Sequence, residues 1–385
     1  MPTIKLYDEN SYLSEFSATV LSCQEQNGAY KILLNKTAFF PEAGGQKADT
    51  GFIGTAEVFD VQIENGEIYH YASSPLAVDD TFLCKINFSE RYKKMQIHTG
   101  EHIVSGVMHS LYNLSNVGFH LGSDEVTLDF DAVLERKQLD KAEDLANEII
   151  YKNVPVICYY PDADKLASLD YRSKKELEGD IRIVEIEGYD KCACCAPHVA
   201  STGEVGIIKL AHFEKIKTGT RITLLCAADA LHDYREKYRN VSEISALLCA
   251  KADDTAEAVR ALLNEKGELS ATITNLKHII CELKAETVAS SNEAFIAFED
   301  NLSIPDMRNL VNKLLSKRPS VFVFSRVDCG DFNFVCAGDS MKDWMEKLRD
   351  RFCAKGGGSD KMIQGSLTAC DKEIKEFISL NIDKN

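Results

Sequence analysis

The chain has 385 residues, 45% of them hydrophobic and 27% charged, which is usual for a soluble globular protein of two or three domains. No apolar run approaches the roughly 18–20 residues of a membrane span, and the N-terminus lacks the basic-then-apolar pattern of an export signal. The formal net charge of −16 argues against a nucleic-acid partner, although residues 301–385 hold 14 Lys and Arg against 12 Asp and Glu, a local balance of +2.

Cysteine usage indicates a reducing compartment. The 13 cysteines are odd in number and accompany no signal peptide, so reduced thiols in a cytoplasmic protein explain them better than disulfides do. Some of these thiols are then available as metal ligands.

Residues 1–86 predict a small β-barrel-like domain. Alternating apolar residues in "YKILLNKTAFF" and "EVFDVQIENGEIYHYAS" indicate strands, and the Asn65-Gly66 pair indicates a tight turn. Between these strands, "FFPEAGGQKADTGFIG" is a glycine-rich loop. The alternative interpretation of this loop is a tight turn of the barrel.

Residues 87–228 predict an α+β domain. The stretch "SERYKKMQIHTGEHIVSGVMHSLY" has helical spacing with Ser89 as a candidate N-cap, and its apolar residues predict a largely buried helix. A strand, a second helix and several further strands follow it. The overall fold class is therefore α+β.

Residues 229–290 predict a helical arm, and residues 291–385 a small α/β domain. Leu269, Ile273, Leu276, Ile280 and Leu283 form a seam along one helix, which favours an antiparallel hairpin over a coiled-coil dimer because it lasts only about two heptads. In the last domain a glycine loop is formed by Lys355, Gly356, Gly357 and Gly358. It suits a phosphate or an RNA backbone, and a plain surface turn is the alternative.

Two short segments predict a metal site. His98 and His102 are four residues apart, so a helix places both imidazoles on one face, and Cys194 and His198 repeat this spacing in "KCACCAPHV". Zinc prefers four tetrahedral nitrogen and sulfur ligands, and these four residues would supply them. Cys192 or Cys195 could replace Cys194, and a set of buried, inert thiols is the alternative. Whether the zinc is structural or catalytic stays open.

A competing motif overlaps the histidine pair. His98-Thr-Gly-Glu101-His102 also fits H-x-x-E-H, the inverted zinc-peptidase pattern, in which Glu101 would be the general base. That interpretation leaves Cys194, His198 and the "PEAGGQ" loop unexplained, and it needs a further carboxylate ligand.

Three motifs in one order carry a family resemblance. "FFPEAGGQKADTG", "HTGEH" and "CCAPHVASTGEVG" together resemble the editing domain of alanyl-tRNA synthetase and the free-standing AlaX alanyl-tRNA editing proteins of the long form. Residues 1–226 cover the catalytic part, and the tail resembles the synthetase C-terminal extension, shared with DHH-type phosphoesterases. The chain has no Asp-His-His motif, so phosphoesterase chemistry is not implied. Because no synthetase motif precedes residue 1, we expect an editor that acts in trans.

The resemblance implies an enzyme that hydrolyses the ester between a wrong amino acid, chiefly serine and often glycine, and the tRNA for alanine. It implies the zinc ligands His98, His102, Cys194 and His198. It implies substrate contacts from the glycine-rich loop, from a segment that often carries a glutamine, and from Thr99 beside the first ligand. The corresponding residues of this chain are Gly44, Gly45 and Gln46 in the loop and His120, Gly122 and Ser123 in the segment.

The same resemblance implies that the tail grips the tRNA or forms a homodimer through the arm. Two departures stand out: Ala196-Pro197 replaces a common Gly-Thr pair, and Ala43 replaces a glycine. We therefore expect a zinc-dependent deacylase, with a tRNA-binding module containing structural zinc, or a zinc peptidase, as alternatives. The preference between serine and glycine stays open.

Overall fold

The computed structural model describes residues 3–43, 45–122, 125–173, 181–328 and 330–382. They form two compact units, residues 1–240 and 241–385. Both units combine helices with sheets, which confirms the α+β class. The finer division into four domains at residues 86, 228 and 290 stays a proposal.

The first unit begins with a closed barrel. Along the strand Glu15–Gln26, buried Phe16, Ala18 and Val20 alternate with more exposed residues, so one face of the strand lines the interior. Asn65 and Gly66 both have positive φ angles, 50° and 83°, and join two strands by the predicted tight turn. The six strands, all antiparallel to their neighbours, are in order around the barrel Glu15–Gln26, Ala29–Leu34, Glu67–Ala72, Ala56–Glu64, Gly51–Ile53 and Thr81–Ile86. Beside it, Ile4–Lys5 pairs with Lys36–Thr37, and Leu6–Glu9 is a helical turn.

His70 is fully buried in this barrel. Its Nδ1 lies 3.2 Å from the Ile32 carbonyl oxygen, which only accepts, so Nδ1 donates. Nε2 of the neutral ring then accepts from the Thr37 hydroxyl at 2.8 Å. Burial lowers the pKa of His70 from 6.5 to about 4.

This histidine should make the barrel sensitive to acid. Between about pH 6.5 and pH 4 the unfolded chain binds a proton that the folded chain does not, so the free energy of unfolding should fall as the pH drops through this range, by about 3 kcal/mol. Urea denaturation of the wild type and of His70→Gln at several pH values measures this change. The free energy of unfolding should fall less in His70→Gln than in the wild type. The control at an exposed histidine, His232→Gln, should show the same fall as the wild type. Equal slopes for His70→Gln and wild type would contradict the prediction.

A buried helix, Phe88–Tyr112, follows the barrel and is called the central helix below. It begins one residue before the predicted N-cap Ser89, with Asn87 as the cap, and ends at Tyr112, where the C-cap Asn113 adopts the left-handed conformation (φ 54°). Its residues from Ile97 to Met108 are all buried, because it packs against a helix and two sheets. Two sheets accompany the central helix in this part of the first unit. The antiparallel four-stranded sheet has the strand order Ile208–Ile216, Gly219–Cys226, Val126–Phe130 and Asn116–Leu121, and the three-stranded sheet has the order Val156–Tyr159, Ile183–Ile186 and Asp190–Ala193. The remaining elements are the helices Arg136–Lys152 and Ala163–Ser168 and the 3-10 turn Thr202–Val205.

Two helices lie in the range of the predicted arm, Ala227–Leu248 and Thr255–Thr287, with the 3-10 turn Ala252–Asp254 before the second. The five side chains of the predicted seam are 47–57% exposed, and the packing of this seam on a second arm helix stays a prediction. Only the end of the second helix is buried, at Cys281 and Ala285, where it packs on the helix Ile304–Leu314. Apolar spacing predicted the helix correctly, but spacing does not say whether a partner lies in the same chain.

The second unit contains a five-stranded sheet. Its strands in order are Phe295–Asp300, Val321–Asp328, Asp331–Ala337, Met362–Thr368 and Lys355–Gly358, and its helices are Ile304–Leu314, Met341–Phe352 and Asp371–Ile382. The predicted glycine loop is therefore an edge strand, paired with Met362–Thr368. A Cβ on Gly356 would lie 2.2 Å from the Gln364 carbonyl oxygen, so the close pairing requires glycine.

Within the described ranges, no helix combines the length and the apolar character that crossing a membrane requires.

Candidate metal centre

The structure brings the four predicted ligands together. The central helix presents His98 and His102 one turn apart, and the segment after the strand Asp190–Ala193 presents Cys194 and His198. One ligand atom from each residue lies within 4.8 Å of all the others. Cys194 Sγ is 3.4 Å from His98 Nε2 and 3.5 Å from His198 Nε2. Two ligands of one tetrahedral zinc ion are about 3.6 Å apart for a nitrogen and a sulfur, so the donor set fits zinc.

Burial opposes charge on these ligands unless a cation is present. Burial, with the neighbouring Cys195, raises the pKa of the Cys194 thiol, and burial, with His102 and His98, holds the pKa of His198 well below 6.5. The His198 imidazole is therefore neutral, which is the form that binds a metal, and a dication would offset the cost of the buried thiolate. The chemistry of the residues present is that of a metal site.

Each histidine is oriented through its second ring nitrogen. His102 Nδ1 lies 3.0 Å from Asp190 Oδ2, and Arg172 Nε donates to Asp190 Oδ1 at 2.7 Å. Burial alone would raise the pKa of Asp190, but the hydrogen bonds from His102 and Arg172 hold it below its usual value. This carboxylate keeps the proton of His102 on Nδ1 and leaves Nε2 for the metal.

Thr99 orients His198 in the same way. Its Oγ1 lies 3.0 Å from His198 Nδ1 and accepts from the Val199 backbone N–H at 3.3 Å, and the side chain is fully buried. The resemblance implied a hydroxyl available to serine. In this structure the hydroxyl oxygen contacts His198, because Thr99 follows His98 on the central helix and faces the segment that carries Cys194 and His198. A contact between Thr99 and serine stays a prediction.

Glu101 lies next to the cluster but is not one of its four candidate ligands. Its Oε1 accepts from Ser105 Oγ at 2.7 Å and from Asn116 Nδ2 at 2.6 Å, and its Oε2 is 3.8 Å from His102 Nε2. The ligand set assembled in the described residues is three imidazoles and a thiol. The carboxylate ligand that the peptidase interpretation needs is not among them.

The strand Asn116–Leu121 turns Phe119, not His120, toward the ligands. The Phe119 ring lies edge-on to His98 with centroids 4.9 Å apart, whereas the His120 side chain is 63% exposed and its Nε2 is 4.0 Å from Asp129. Because neighbouring strand residues face opposite sides, His120 is not brought to the metal cluster. Gly122 follows this strand, and Ser123 lies outside the described residues.

The glycine-rich loop reaches the cluster through Gln46. This buried side chain places Oε1 3.2 Å from His98 Nδ1. Gly45 has a φ of +82°, and a Cβ there would lie 2.9 Å from the Phe119 carbonyl oxygen, so only glycine fits against the strand. Gly44 lies outside the described residues. Lys355, Gly356, Gly357 and Gly358 belong to the second unit, and Arg349 Nη2 donates to the Gly356 carbonyl oxygen at 2.7 Å.

Two carboxylates that sequence analysis missed support the ligands. One is Asp190, and the other is Glu204, whose Oε2 accepts from Tyr12 and Tyr92 at 2.7 and 3.0 Å and whose Oε1 accepts from the Ala200 backbone at 3.1 Å. Glu204 thus joins the N-terminal segment, the central helix and the chain just after His198. The capping-box spacing of Ser201 and Glu204 was a visible signal for it.

Comparisons with known proteins agree with this geometry. A family model described as the threonyl and alanyl tRNA synthetase second additional domain matches residues 181–222, which include Cys194 and His198. Alanyl-tRNA editing protein AlaX-L of Pyrococcus horikoshii is 27% identical over 392 residues, covering 96% of each chain. An alanine–tRNA ligase of Methanococcus maripaludis is 28% identical, and the match covers 96% of this chain but 42% of the ligase.

One further relative is similar enough to assign this chain to a family. Alanyl-tRNA editing protein Aarsd1-A of Xenopus laevis is 30% identical over 378 residues, covering 92% of this chain and 91% of that protein. Because the match covers 92% of this chain, it reaches both compact units. The chain therefore belongs to the alanyl-tRNA editing protein family.

Proposed function

We propose that this chain is a zinc-dependent aminoacyl-tRNA deacylase that hydrolyses seryl and glycyl esters of the tRNA for alanine. The observation that carries the proposal is the cluster of three buried histidines and one partly buried cysteine, in a chain that aligns with editing proteins over nearly its whole length.

The need for such a reaction is physical. A pocket built for alanine cannot strongly reject glycine or serine, because one methyl or hydroxyl group changes the binding free energy by only about 1–3 kcal/mol. A separate hydrolytic site removes the wrong amino acid after it has been attached. That site can prefer serine if its polar groups pair with the serine hydroxyl and would be left unpaired by alanine.

The proposed roles follow the geometry. His98, His102, Cys194 and His198 hold the zinc, whose bound form supplies the Lewis acidity that polarises an ester carbonyl. Asp190 and Thr99 keep the protons of His102 and His198 on Nδ1. Glu101 Oε2 lies 3.8 Å from His102 Nε2, the nitrogen left for a metal, so we assign Glu101 the transfer of a proton during hydrolysis.

The remaining predicted substrate residues keep the roles that the resemblance implied. Gly45 and Gly122 would form the wall of the site that meets the aminoacyl end. The substrate contacts proposed for Gly44 and Ser123, which lie outside the described residues, rest on the resemblance alone. Lys355, with the edge strand Lys355–Gly358, would contact the tRNA body, since an exposed strand of glycines lets a phosphate backbone approach. Because His120 lies on the exposed face of its strand, we assign it a contact with the tRNA rather than a role in catalysis.

The decisive experiment compares three esters of the alanine tRNA. Purified protein should hydrolyse the seryl and glycyl esters, spare the alanyl ester, and lose activity on chelation, with recovery when zinc is returned. Hydrolysis that survives complete removal of the metal would refute the zinc dependence. No hydrolysis of any ester by folded, zinc-loaded protein would refute the enzymatic function.

One observation favours a second candidate, a tRNA-binding module with structural zinc. Four protein ligands are typical of a closed, structural site, whereas catalytic sites keep one position open. In that case the zinc-loaded protein would bind the tRNA without hydrolysing any of its esters. Nothing in the described residues favours the peptidase.

We also propose a homodimer through the arm. The seam Leu269, Ile273, Leu276, Ile280 and Leu283 is about half exposed, and a second copy of this helix would cover it. Sedimentation at micromolar concentration should show a dimer for the wild type and a monomer for Leu276→Glu. Exposed Glu268→Gln is the control, and a monomeric wild type would contradict the proposal.

We place the reaction in the cytoplasm. Every cysteine that the structure describes is a free thiol, which fits a reducing compartment.

A further inference from the structure

Gln46 is held beside the metal ligands by a tight turn. Its backbone N–H donates to the Ala43 carbonyl oxygen at 3.0 Å, and its carbonyl oxygen accepts from the Ala43 N–H at 3.1 Å. The side chain is 0% exposed, and its Oε1 contacts His98 Nδ1. A buried side chain on a closed turn has little freedom, so this contact is a fixed feature of the fold.

The chemistry of His98 determines which end of the carboxamide faces it. His98 Nε2 lies 3.4 Å from Cys194 Sγ and is the ring nitrogen available to a metal. A histidine that binds metal through Nε2 carries its hydrogen on Nδ1 and therefore donates there. The partner must accept, so the oxygen of Gln46 faces His98 and its Nε2 group points elsewhere.

That Nε2 group has no hydrogen-bond partner within the described part of the chain. Leaving a buried donor unpaired costs about 1–3 kcal/mol, and native structures rarely accept this without a reason. A donor beside a metal site is satisfied if a ligand brings an acceptor. An ester carbonyl is such an acceptor, and its oxygen gains negative charge during hydrolysis.

We propose that Gln46 acts at the site in two ways. Its oxygen positions His98 for the metal, and its Nε2 group donates a hydrogen bond to the carbonyl oxygen of the bound aminoacyl ester. The second role rests on the proposed deacylase function, whereas the first does not. Because the carbonyl is common to all aminoacyl esters, the Nε2 group serves the seryl and glycyl esters equally.

Two substitutions separate the roles. Gln46→Glu keeps an oxygen for His98 and removes the donor, whereas Gln46→Met has nearly the same size and removes both. The same change at exposed Gln26, Gln26→Met, is the matched control. Zinc affinity is measured without tRNA, by competition with a chromogenic chelator, and kcat and KM are measured for both esters.

For zinc affinity, Gln46→Met should bind about 10–100-fold more weakly than the wild type, and Gln46→Glu should bind at least as tightly as the wild type. The control should match the wild type. Unchanged affinity in Gln46→Met would overturn the positioning role, and so would equal weakening in both variants, because the retained oxygen would then have had no effect.

For hydrolysis, kcat of Gln46→Glu should fall about 10²–10³-fold for both esters, with KM nearly unchanged, because the lost bond acts mainly in the transition state. Unchanged kcat in this variant would overturn the donor role. Loss confined to the seryl ester would also overturn it, since the donor would then bind the serine hydroxyl. An inactive wild type would instead refute the proposed function, while the zinc measurement would still decide the positioning role.

Discussion

Replacing Cys194 by alanine should lower the rate of deacylation by about 10³-fold, which corresponds to about 4 kcal/mol of transition-state stabilisation. Cys194 is the only thiol of the four-residue cluster found in the described residues, and as a thiolate it would carry the only negative charge among the ligands. Three neutral imidazoles would bind the cation more weakly and polarise an ester differently. Single-turnover hydrolysis of the seryl ester, together with the zinc content of the purified protein, measures the effect.

The neighbouring cysteine provides a matched control. Cys195 is exposed and lies outside the cluster, so Cys195→Ala should keep both zinc and activity. Equal loss in both variants would mean that this segment tolerates no substitution, and an active Cys194→Ala protein would refute the ligand assignment. Binding of the tRNA by Cys194→Ala, without hydrolysis, would favour a catalytic over a purely structural metal.

Replacing Arg91 by methionine should lower the free energy of unfolding by about 3–5 kcal/mol, because it leaves a buried carboxylate without its partner. Arg91 and Asp49 form an ion pair in which both side chains are almost fully buried, 0% and 1% exposed. Arg91 Nε donates to Asp49 Oδ2 at 2.9 Å, and this oxygen also accepts from the Phe40 N–H at 2.6 Å. The pair joins the central helix to both ends of the glycine-rich loop. Urea denaturation measures the change.

Two further variants test the cause. The double variant Arg91→Met with Asp49→Asn removes both charges and should recover part of the loss, so the two changes should not be additive. Lys93→Met breaks the exposed pair with Asp229 and should cost less than about 1 kcal/mol. Additive losses in the double variant, or equal costs at Arg91 and Lys93, would contradict this account.

The cluster of four candidate metal ligands could be predicted from the sequence because the spacing within each pair is local. Two residues four apart on a helix share a face whatever surrounds them, and the structure places His98 and His102 accordingly. The partners of the histidines could not be predicted in this way. Gln46 and Asp190 are 52 and 88 residues away from the histidines they contact, so only the fold brings them together.

Other differences arise where local patterns are ambiguous. In the strand Asn116–Leu121, a shift of one residue decides whether Phe119 or His120 faces the ligands. The similarity of a motif does not determine the position of a strand to within one residue. Three consecutive glycines favour a loop by propensity, yet pairing with Met362–Thr368 makes Lys355–Gly358 a strand. The apolar spacing of the arm seam predicted a helix correctly, but such spacing does not identify what covers the seam.

The two halves of the ligand cluster come from distant parts of the chain, since Cys194 follows His98 by 96 residues. An ion held by all four would cross-link the central helix to the ligand segment, in the way that a disulfide closes a loop. It would bind the folded chain and lose its site on unfolding, so metal supply and conformational stability are thermodynamically linked. At a free zinc concentration 100 times the dissociation constant, this linkage adds about 2.7 kcal/mol to the folded state. Zinc starvation would then lower the abundance of the folded protein as well as its activity.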